Sequence, residues 1–370
     1  MPDSGIAPKQ LLKGRTDILV CLFDSSTYRR PTGKNACPTS GGESGFSLIE
    51  LMIALGILLS VSAIVAQVMF QMTMTQGTIS NRTAMHSSVR SATELLQQEI
   101  GQAGSIALPP PAVPLLLLGA VTGLGASATP GVTDSTGMFP GMQLVIGPDA
   151  VSGCPGVQCA SRETVTLTAV GTNTITAIFQ DPHAVGAAVS VAGVFAAGVV
   201  PISGDKIITI DAAGANQVTT LTSAQASSGT LLKLFGDING DGIMVYVEYA
   251  CNTGTPSAPG TFTRSVTPFT AGAQVAAQPL LTNLLANPGG APCFDYQRKP
   301  VGNNTYVINV TVTLTVQTET RDPQTNVFQT ETKALLNVSP RNIYEAWQLS
   351  GSNMVSRIQP MPYTVVNLLP

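Results

Sequence analysis

The feature that most constrains this chain is an apolar run from Leu48 to Phe70 that contains a single ionisable residue, Glu50. A run of this length is typical of a membrane-spanning helix, since about 20 apolar residues cross the hydrocarbon layer. A carboxylate inside that layer costs about 2.5 to 3.5 kcal/mol on insertion scales. An ionisable group retained at such a position is therefore a functional candidate.

The residues around Glu50 form a short motif, with the sequence GFSLIE at positions 45–50, at the start of the apolar run. This motif resembles the processing signature of type IV prepilins and of the related type II secretion pseudopilins. In that family a membrane peptidase cuts after the glycine, methylates the new terminal amine and leaves glutamate as the fifth residue of the mature chain. The resemblance implies cleavage between Gly45 and Phe46, an N-methylated Phe46, and a role for Glu50 in subunit assembly.

The physical interpretation of Glu50 agrees with the resemblance. Cleavage would create a cationic amine four residues before Glu50, and in a filament this carboxylate can pair with the terminal amine of a neighbouring subunit. One alternative is that Glu50 snorkels to the lipid interface at the end of an ordinary anchor. Another is a secretory signal that ends at residues 61–63, with the sequence VSA. Three features oppose the secretory signal and favour the prepilin interpretation: the run is longer than a signal's apolar region, it contains a carboxylate, and the nearest upstream basic residue is as far away as Lys34.

Charge and composition exclude several classes of protein. The chain has 370 residues, of which 44% are apolar and 11% are charged, and its mean hydropathy is +0.26. Six of the 18 basic and four of the 21 acidic residues lie in the predicted leader, 1–45, so the mature chain keeps 12 and 17 and has a net charge of −5. These values argue against a disordered chain and against a nucleic-acid partner.

Cysteine usage predicts an exported protein. The mature chain keeps Cys154, Cys159, Cys251 and Cys293, and four cysteines allow three connectivities. We expect disulfides between Cys154 and Cys159, across a Pro-Gly turn, and between Cys251 and Cys293, across a long loop. A zinc site is the alternative, but the sequence lacks the paired Cys-x-x-Cys spacing and a nearby histidine.

The periodicity after the apolar run predicts that the helix continues into a soluble domain. Apolar residues recur at spacings of three and four and form one stripe, made of Met85, Val89, Ala92, Leu96, Ile100 and Ala103. The helix should run from Phe46 to Gly101 or Gly104, about 80 Å at 1.5 Å per residue. Together with the cleavage and the filament role that the resemblance implies, this gives a leader at 1–45, a transmembrane and filament-core half at 46–70, an amphipathic half at 71–104, and a β-rich extracytoplasmic domain at 105–370.

The remainder of the chain has the composition of short strands separated by turns. Strands are predicted at Glu163 to Val170, Asn173 to Phe179, Asp205 to Ile210, Leu231 to Phe235 and Ile243 to Tyr249, and a long hairpin pairs Tyr306 to Thr318 with Val327 to Val338. The sequence VSPRN at 338–342 resembles the end of PilW-like minor pilins. The predicted fold class is α+β and pilin-like: one long N-terminal helix packed on an antiparallel β-sheet domain with large loop insertions.

A second motif concerns cation binding. Residues 237–248, with the sequence DINGDGIMVYVE, fit the spacing of a calcium loop, in which Asp237, Asn239, Asp241, the carbonyl of Ile243 and Glu248 would be ligands. The last of these belongs to a predicted strand, which would hold it too far from the loop to close the same site. A polar turn is the alternative, because Asn-Gly and Asp-Gly are strong turn formers. Calcium and the polar turn both stay open at this point, and no other cofactor is predicted.

Motifs for catalysis are absent from the sequence, so we expect that the protein is not an enzyme. The resemblance implies a structural subunit, in particular a minor pilin of a type IV pilus. The alternatives are a pseudopilin of a type II secretion system and a helix-anchored extracytoplasmic adhesion or binding module. The implied partners are other pilin or pseudopilin subunits, prepilin peptidase, an inner-membrane assembly platform and, before assembly, the membrane itself. The implied location is the inner membrane as a single-pass protein, followed by the periplasm and a cell-surface pilus.

Overall fold

The computed structural model describes residues 45–110, 113–121, 125–149 and 162–369. The predicted leader up to residue 44 and the predicted Cys154–Cys159 disulfide lie outside these ranges. The chain divides into two compact units, residues 1–63 and 64–370. The first helix begins in the first unit and ends in the second, which also contains every strand of the described ranges.

Helix α1 spans Leu48–Gln102. It begins where the Ser47 carbonyl accepts the Leu51 N–H at 3.1 Å. It ends before Gly104, which adopts a positive φ of 78° and donates its N–H to the Phe235 carbonyl at 2.9 Å. All six residues of the predicted stripe are buried.

Sixteen strands and two further helices follow within the described ranges. The strands are β1 (Ala126–Ala128), β2 (Gln143–Ile146), β3 (Glu163–Gly171), β4 (Thr174–Phe179), β5 (Val189–Val191), β6 (Val194–Phe195), β7 (Lys206–Ile210), β8 (Asn216–Thr220), β9 (Leu231–Gly236), β10 (Val245–Asn252), β11 (Gly260–Pro268), β12 (Gln278–Leu285), β13 (Phe294–Val301), β14 (Asn304–Gln317), β15 (Thr330–Val338) and β16 (Ile358–Gln359). The helices are α2 (Arg341–Gly351) and α3 (Tyr363–Val366).

An antiparallel sheet of seven strands forms the centre of the second unit. Its strand order is β13-β14-β12-β11-β10-β9, and β15 pairs with β14. Side chains alternate across this sheet, so that Val247 and Tyr249 of β10 join the core cluster that contains the buried stripe of α1. Tyr246, which directly precedes Val247, joins a second core cluster on the other face. The sheet therefore carries one apolar core on each face, and α1 covers one of them.

The second core is completed by a smaller antiparallel sheet of five strands, in the order β1-β4-β3-β2-β5. Two contacts join the C-terminal segment to earlier strands: β16 pairs with β6, and Met361 bridges to β7, which itself pairs with β8. Helix α2 packs Ile343 and Ala346 into the first core. Its Asn342 side chain donates hydrogen bonds to the carbonyls of Gln102 and Ala103, at 3.1 and 3.3 Å, and so satisfies carbonyl groups at the end of α1.

The structure confirms the coarse fold class, α+β with one long apolar N-terminal helix and antiparallel sheets. The five short predicted strands are observed as β3, β4, β7, β9 and β10, with ends that differ by no more than three residues from the prediction. The long hairpin is observed as β14 and β15. Helix α2 was not predicted, although Ile343, Ala346 and Trp347 already have the three- and four-residue spacing of an amphipathic helix.

Candidate functional sites

The apolar part of α1 is the largest candidate interaction surface. Every residue from 45 to 73 is exposed, and the most apolar 18-residue window of the helix has a mean hydropathy of 2.5. By length and composition α1 is the one helix in the described ranges that could cross a membrane. Fifteen large apolar side chains between Leu48 and Phe70 are more than 45% exposed. Covering them with lipid or with other helices would contribute on the order of 10 kcal/mol or more, at the lower value per side chain scaled to their exposure.

Gly45, Phe46 and Glu50 lie together at the start of this surface. Gly45 and Phe46 precede the helix and have no regular secondary structure, Phe46 is 80% exposed, and Glu50 lies in the first helical turn. A carboxylate near a helix N-terminus gains about 0.3 to 1 kcal/mol from the helix dipole. That gain is smaller than the cost of about 2.5 to 3.5 kcal/mol for a charge at the centre of a membrane helix, so a carboxylate carried into the apolar layer needs a cationic partner.

A buried polar cluster attaches α1 to the seven-stranded sheet. Glu99 is 3% exposed. Its Oε2 accepts hydrogen bonds from the Tyr249 hydroxyl at 2.5 Å and from Arg264 Nε at 3.2 Å. Its Oε1 pairs with Arg264 Nη2. Burial, reinforced by the Glu99 carboxylate, raises the pKa of Tyr249, so its hydroxyl stays a donor. Burial acts to lower the pKa of Arg264, but the hydrogen bond and charge of Glu99 outweigh it and raise this pKa. The cluster therefore consists of one ion pair and one neutral donor.

The connection between β14 and β15 forms a second attachment, on α1 residues 75–82. Its central residue is Asp322, which is 4% exposed and whose Oδ1 accepts the Thr78 hydroxyl at 3.1 Å and the Gln324 N–H at 2.7 Å. Gln324 Nε2 donates to Thr75 Oγ1 at 3.0 Å. The backbone N–H of Gln324 and the other donors lower the pKa of Asp322. We call residues 321–328 the tip loop.

The predicted calcium ligands are only partly brought together. Asp237, Asn239 and Asp241 share one loop between β9 and β10. The two carboxylate oxygens of Asp237, which is 2% exposed, accept the backbone N–H groups of Asp241 at 3.1 Å and Gly242 at 3.2 Å. Asp241 in turn accepts the N–H of Ile243 at 2.8 Å. These bonds are those of a polar turn, and the calcium hypothesis for this loop stays a prediction.

Glu248 lies away from that loop. It lies on β10 opposite Lys233 of β9. This pair is three positions along the strands from Gly236–Val245, the pair next to the loop, which is a distance of about 10 Å. Its carboxylate accepts the Tyr246 hydroxyl at 2.7 Å. Among the described residues, no group of three or more His, Cys, Asp or Glu side chains is arranged to hold a metal ion.

His183 lies between two carboxylates in the five-stranded region. Its Nδ1 is 3.3 Å from Asp149 Oδ1 and its Nε2 is 2.8 Å from Glu163 Oε1, and the three side chains are 0%, 1% and 10% exposed. Both ring nitrogens find an acceptor when the ring is protonated. The cluster joins the segment after β2, the start of β3 and the loop before β5, which gives it a structural role in holding these segments together.

The structure joins Cys251 and Cys293 in a disulfide. The two residues are 1% and 2% exposed and lie in the first core, where the bridge ties the end of β10 to the residue before β13. Their sequence separation is 42 residues. Disulfides persist in exported proteins and are rare in the cytosol, so the bridge fits an extracytoplasmic domain.

Comparisons of the chain with protein-family models, with curated proteins and with solved structures found no match.

Three of the polar sites were missed by sequence reasoning. Glu99 follows Leu96 by three residues and precedes Ile100, so its place on the apolar stripe was a usable signal. His183 and Asp322 carried no such signal. The partners of His183 lie 34 and 20 residues away, and the contact between Asp322 and Thr78 spans 244 residues.

Proposed function

We propose that this chain is a structural subunit, a minor pilin of a type IV pilus, and that it is assembled through its N-terminal helix after prepilin-type processing. The observation that carries the proposal is the exposed apolar surface of α1 with one ionisable residue, Glu50, in its first turn. In the membrane, lipid covers this surface. In a filament, the helices of neighbouring subunits cover it, so the same side chains serve both states.

Glu50 provides the specificity of this assembly. Cleavage after Gly45 gives each subunit a cationic amine at Phe46, and Glu50 of an incoming subunit pairs with the amine of a subunit already in place. Two charges that are costly when alone in an apolar layer then offset each other, and the pair fixes the axial register of the helices.

The size of the domain favours a minor subunit. Removal of residues 1–45 would leave 325 residues, of which 266 follow the amphipathic half of the helix. These residues contain the seven-stranded and five-stranded sheets and most of the two core clusters, which is bulky for the repeating body of a thin filament. The Cys251–Cys293 disulfide supports an extracytoplasmic location for this domain.

Processing is tested by mass spectrometry of the N-terminus of the native protein. We expect the mature chain to start at N-methylated Phe46. Gly45→Ala should leave the full leader in place, whereas Gly56→Ala, a matched glycine change with open space around it inside the apolar run, should be processed normally. A mature chain that starts at any other residue would refute the proposal.

Assembly is tested by replacing the carboxylate of Glu50. Glu50→Gln keeps the size of the side chain but cannot pair with an amine as an ion, so we expect normal processing and membrane insertion with loss of incorporation into filaments. Glu94→Gln, on the exposed face of the same helix, is the matched control and should be incorporated normally. Pulldown of sheared filaments followed by immunoblotting measures both. Unimpaired incorporation of Glu50→Gln would remove Glu50 from the mechanism.

A further inference from the structure

The tip loop contacts α1 just beyond the end of its apolar run. The run ends at Phe70, and Thr75, whose hydroxyl is held by Gln324, follows five residues later. At 1.5 Å per residue, this contact lies about 7.5 Å beyond Phe70 along the helix. Pro323 also approaches the helix closely, because a Cβ added at Gly77 would lie 3.0 Å from its Cγ.

The length of the apolar run places the membrane boundary near Phe70. Leu48 to Phe70 is 23 residues, or about 35 Å of helix, which is enough to cross a hydrocarbon layer of about 30 Å. The polar headgroups add about 5 to 7 Å on each side of that layer. The Thr75–Gln324 contact therefore lies at the outer edge of the headgroup layer when α1 is inserted, and the tilt that membrane helices commonly have brings one side of the helix closer to it.

The chemistry of the tip loop suits that layer. Gln324, Thr325 and Asn326 are exposed and uncharged, and Val327 is 61% exposed. The one acidic side chain of the loop, Asp322, is turned inward onto donors of the loop and of α1.

The loop also carries a cation next to an aromatic ring. The guanidinium carbon of Arg321 is 5.2 Å from the centre of the Phe328 ring. Segments that lie at the interface between lipid and water combine apolar side chains such as Phe with cationic ones, and an arginine there can meet lipid phosphate.

We propose that the tip loop, residues 321–328, lies in the phosphate-bearing headgroup layer of the membrane while the chain is anchored by α1, and so docks the domain on the bilayer surface before assembly. This inference rests on the proposed anchoring by α1. It assigns the loop a lipid partner in addition to its contacts with the helix.

The test uses the full chain, reconstituted in phosphatidylcholine and phosphatidylglycerol vesicles that contain lipids with a nitroxide either on the headgroup or in the middle of the acyl chain. Thr325→Trp and Val327→Trp report on the loop. Gln98→Trp is the matched control, because it is exposed on the same helix about 42 Å beyond Phe70. Leu58→Trp, inside the apolar run, reports on anchoring. The native Trp347 contributes the same background to every variant, which the unsubstituted chain measures.

We expect the headgroup nitroxide to remove about half of the emission added by Thr325→Trp, as for an indole at the interface, with little effect on Gln98→Trp. The acyl-chain nitroxide should quench Leu58→Trp. Quenching of Leu58→Trp without quenching at either loop position would overturn the inference and leave the anchoring intact. Equal quenching of Gln98→Trp would show nonspecific adsorption and also overturn it. If Leu58→Trp is not quenched, the anchoring and the inference fail together.

Discussion

Replacement of Glu99 by glutamine should strongly destabilise the domain. The carboxylate is 3% exposed, and it accepts hydrogen bonds from the Tyr249 hydroxyl and from two nitrogens of Arg264. Glutamine keeps the shape of the side chain but removes the charge and turns one acceptor into a donor that faces other donors. Loss of one partner of a buried ion pair costs about 3 to 5 kcal/mol. The side chain of Arg264 is 22% exposed, so water solvates it in part and we expect the lower value, about 3 kcal/mol.

The assay is urea unfolding of the full chain in a mild detergent, followed by the emission of Trp347, which packs against the first core. Glu94→Gln, on the exposed face of α1, should leave the unfolding midpoint unchanged. A triple replacement, Glu99→Leu with Tyr249→Phe and Arg264→Leu, removes both charges and the hydroxyl that would otherwise lose its acceptor, and should recover most of the lost stability. If Glu99→Gln costs less than about 1 kcal/mol, or if the triple variant is as unstable as the single one, the buried pair does not hold α1 on the sheet.

Three further predictions concern the other sites. Because the pKa of Asp322 is lowered in the folded state, its carboxylate stabilises the tip loop at any pH above the unfolded pKa of about 4, and this stabilisation is lost as the pH falls through the folded pKa. Hydrogen exchange of the loop amides, corrected for the intrinsic exchange rate, should therefore become faster at that low pH in the wild type. In Asp322→Asn the corrected exchange should not depend on pH. Reduction of the Cys251–Cys293 bridge, which closes a loop of 42 residues, should lower the free energy of unfolding by about 2 to 4 kcal/mol in chemical denaturation, and a double serine variant should match the reduced protein. Calorimetric titration with calcium should give a binding heat that Asp241→Ala removes. The control is Asp211→Ala, in a comparable turn, which should keep the binding heat. An equal heat in both variants would reject the loop as the calcium site.

Local patterns explain why the long helix could be read from the sequence. The apolar run, the three- and four-residue spacing from Met85 to Ala103, and the glycines that follow all act within one element. The same holds for β14 and β15, where alternation of side chains and a polar connection suffice to predict a hairpin. Helix α2 was overlooked because it is only 11 residues long and buries two side chains, a weak signal beside the strands around it.

The polar sites depended on contacts between distant segments. Glu99 and Arg264 are 165 residues apart, and no spacing rule connects an α1 residue with a partner on β11. The tip loop is a further case, since the sequence predicted a loose turn and the structure holds it on the helix through Asp322 and Gln324. For Glu248, the pairing of β10 with β9 sets its distance from the calcium loop. The sequence already indicated this distance, because it predicted that Glu248 belongs to a strand.

The sequence by itself determined that the chain has an apolar helix with one carboxylate, Glu50, followed by a β-rich domain, because hydropathy and periodicity are properties of neighbouring residues. Only the tertiary structure decided which polar groups are buried together and where the tip loop meets α1. Burial of a charge is tolerated only where a partner is brought to it, and for Glu99 that partner arrives from a strand far along the chain.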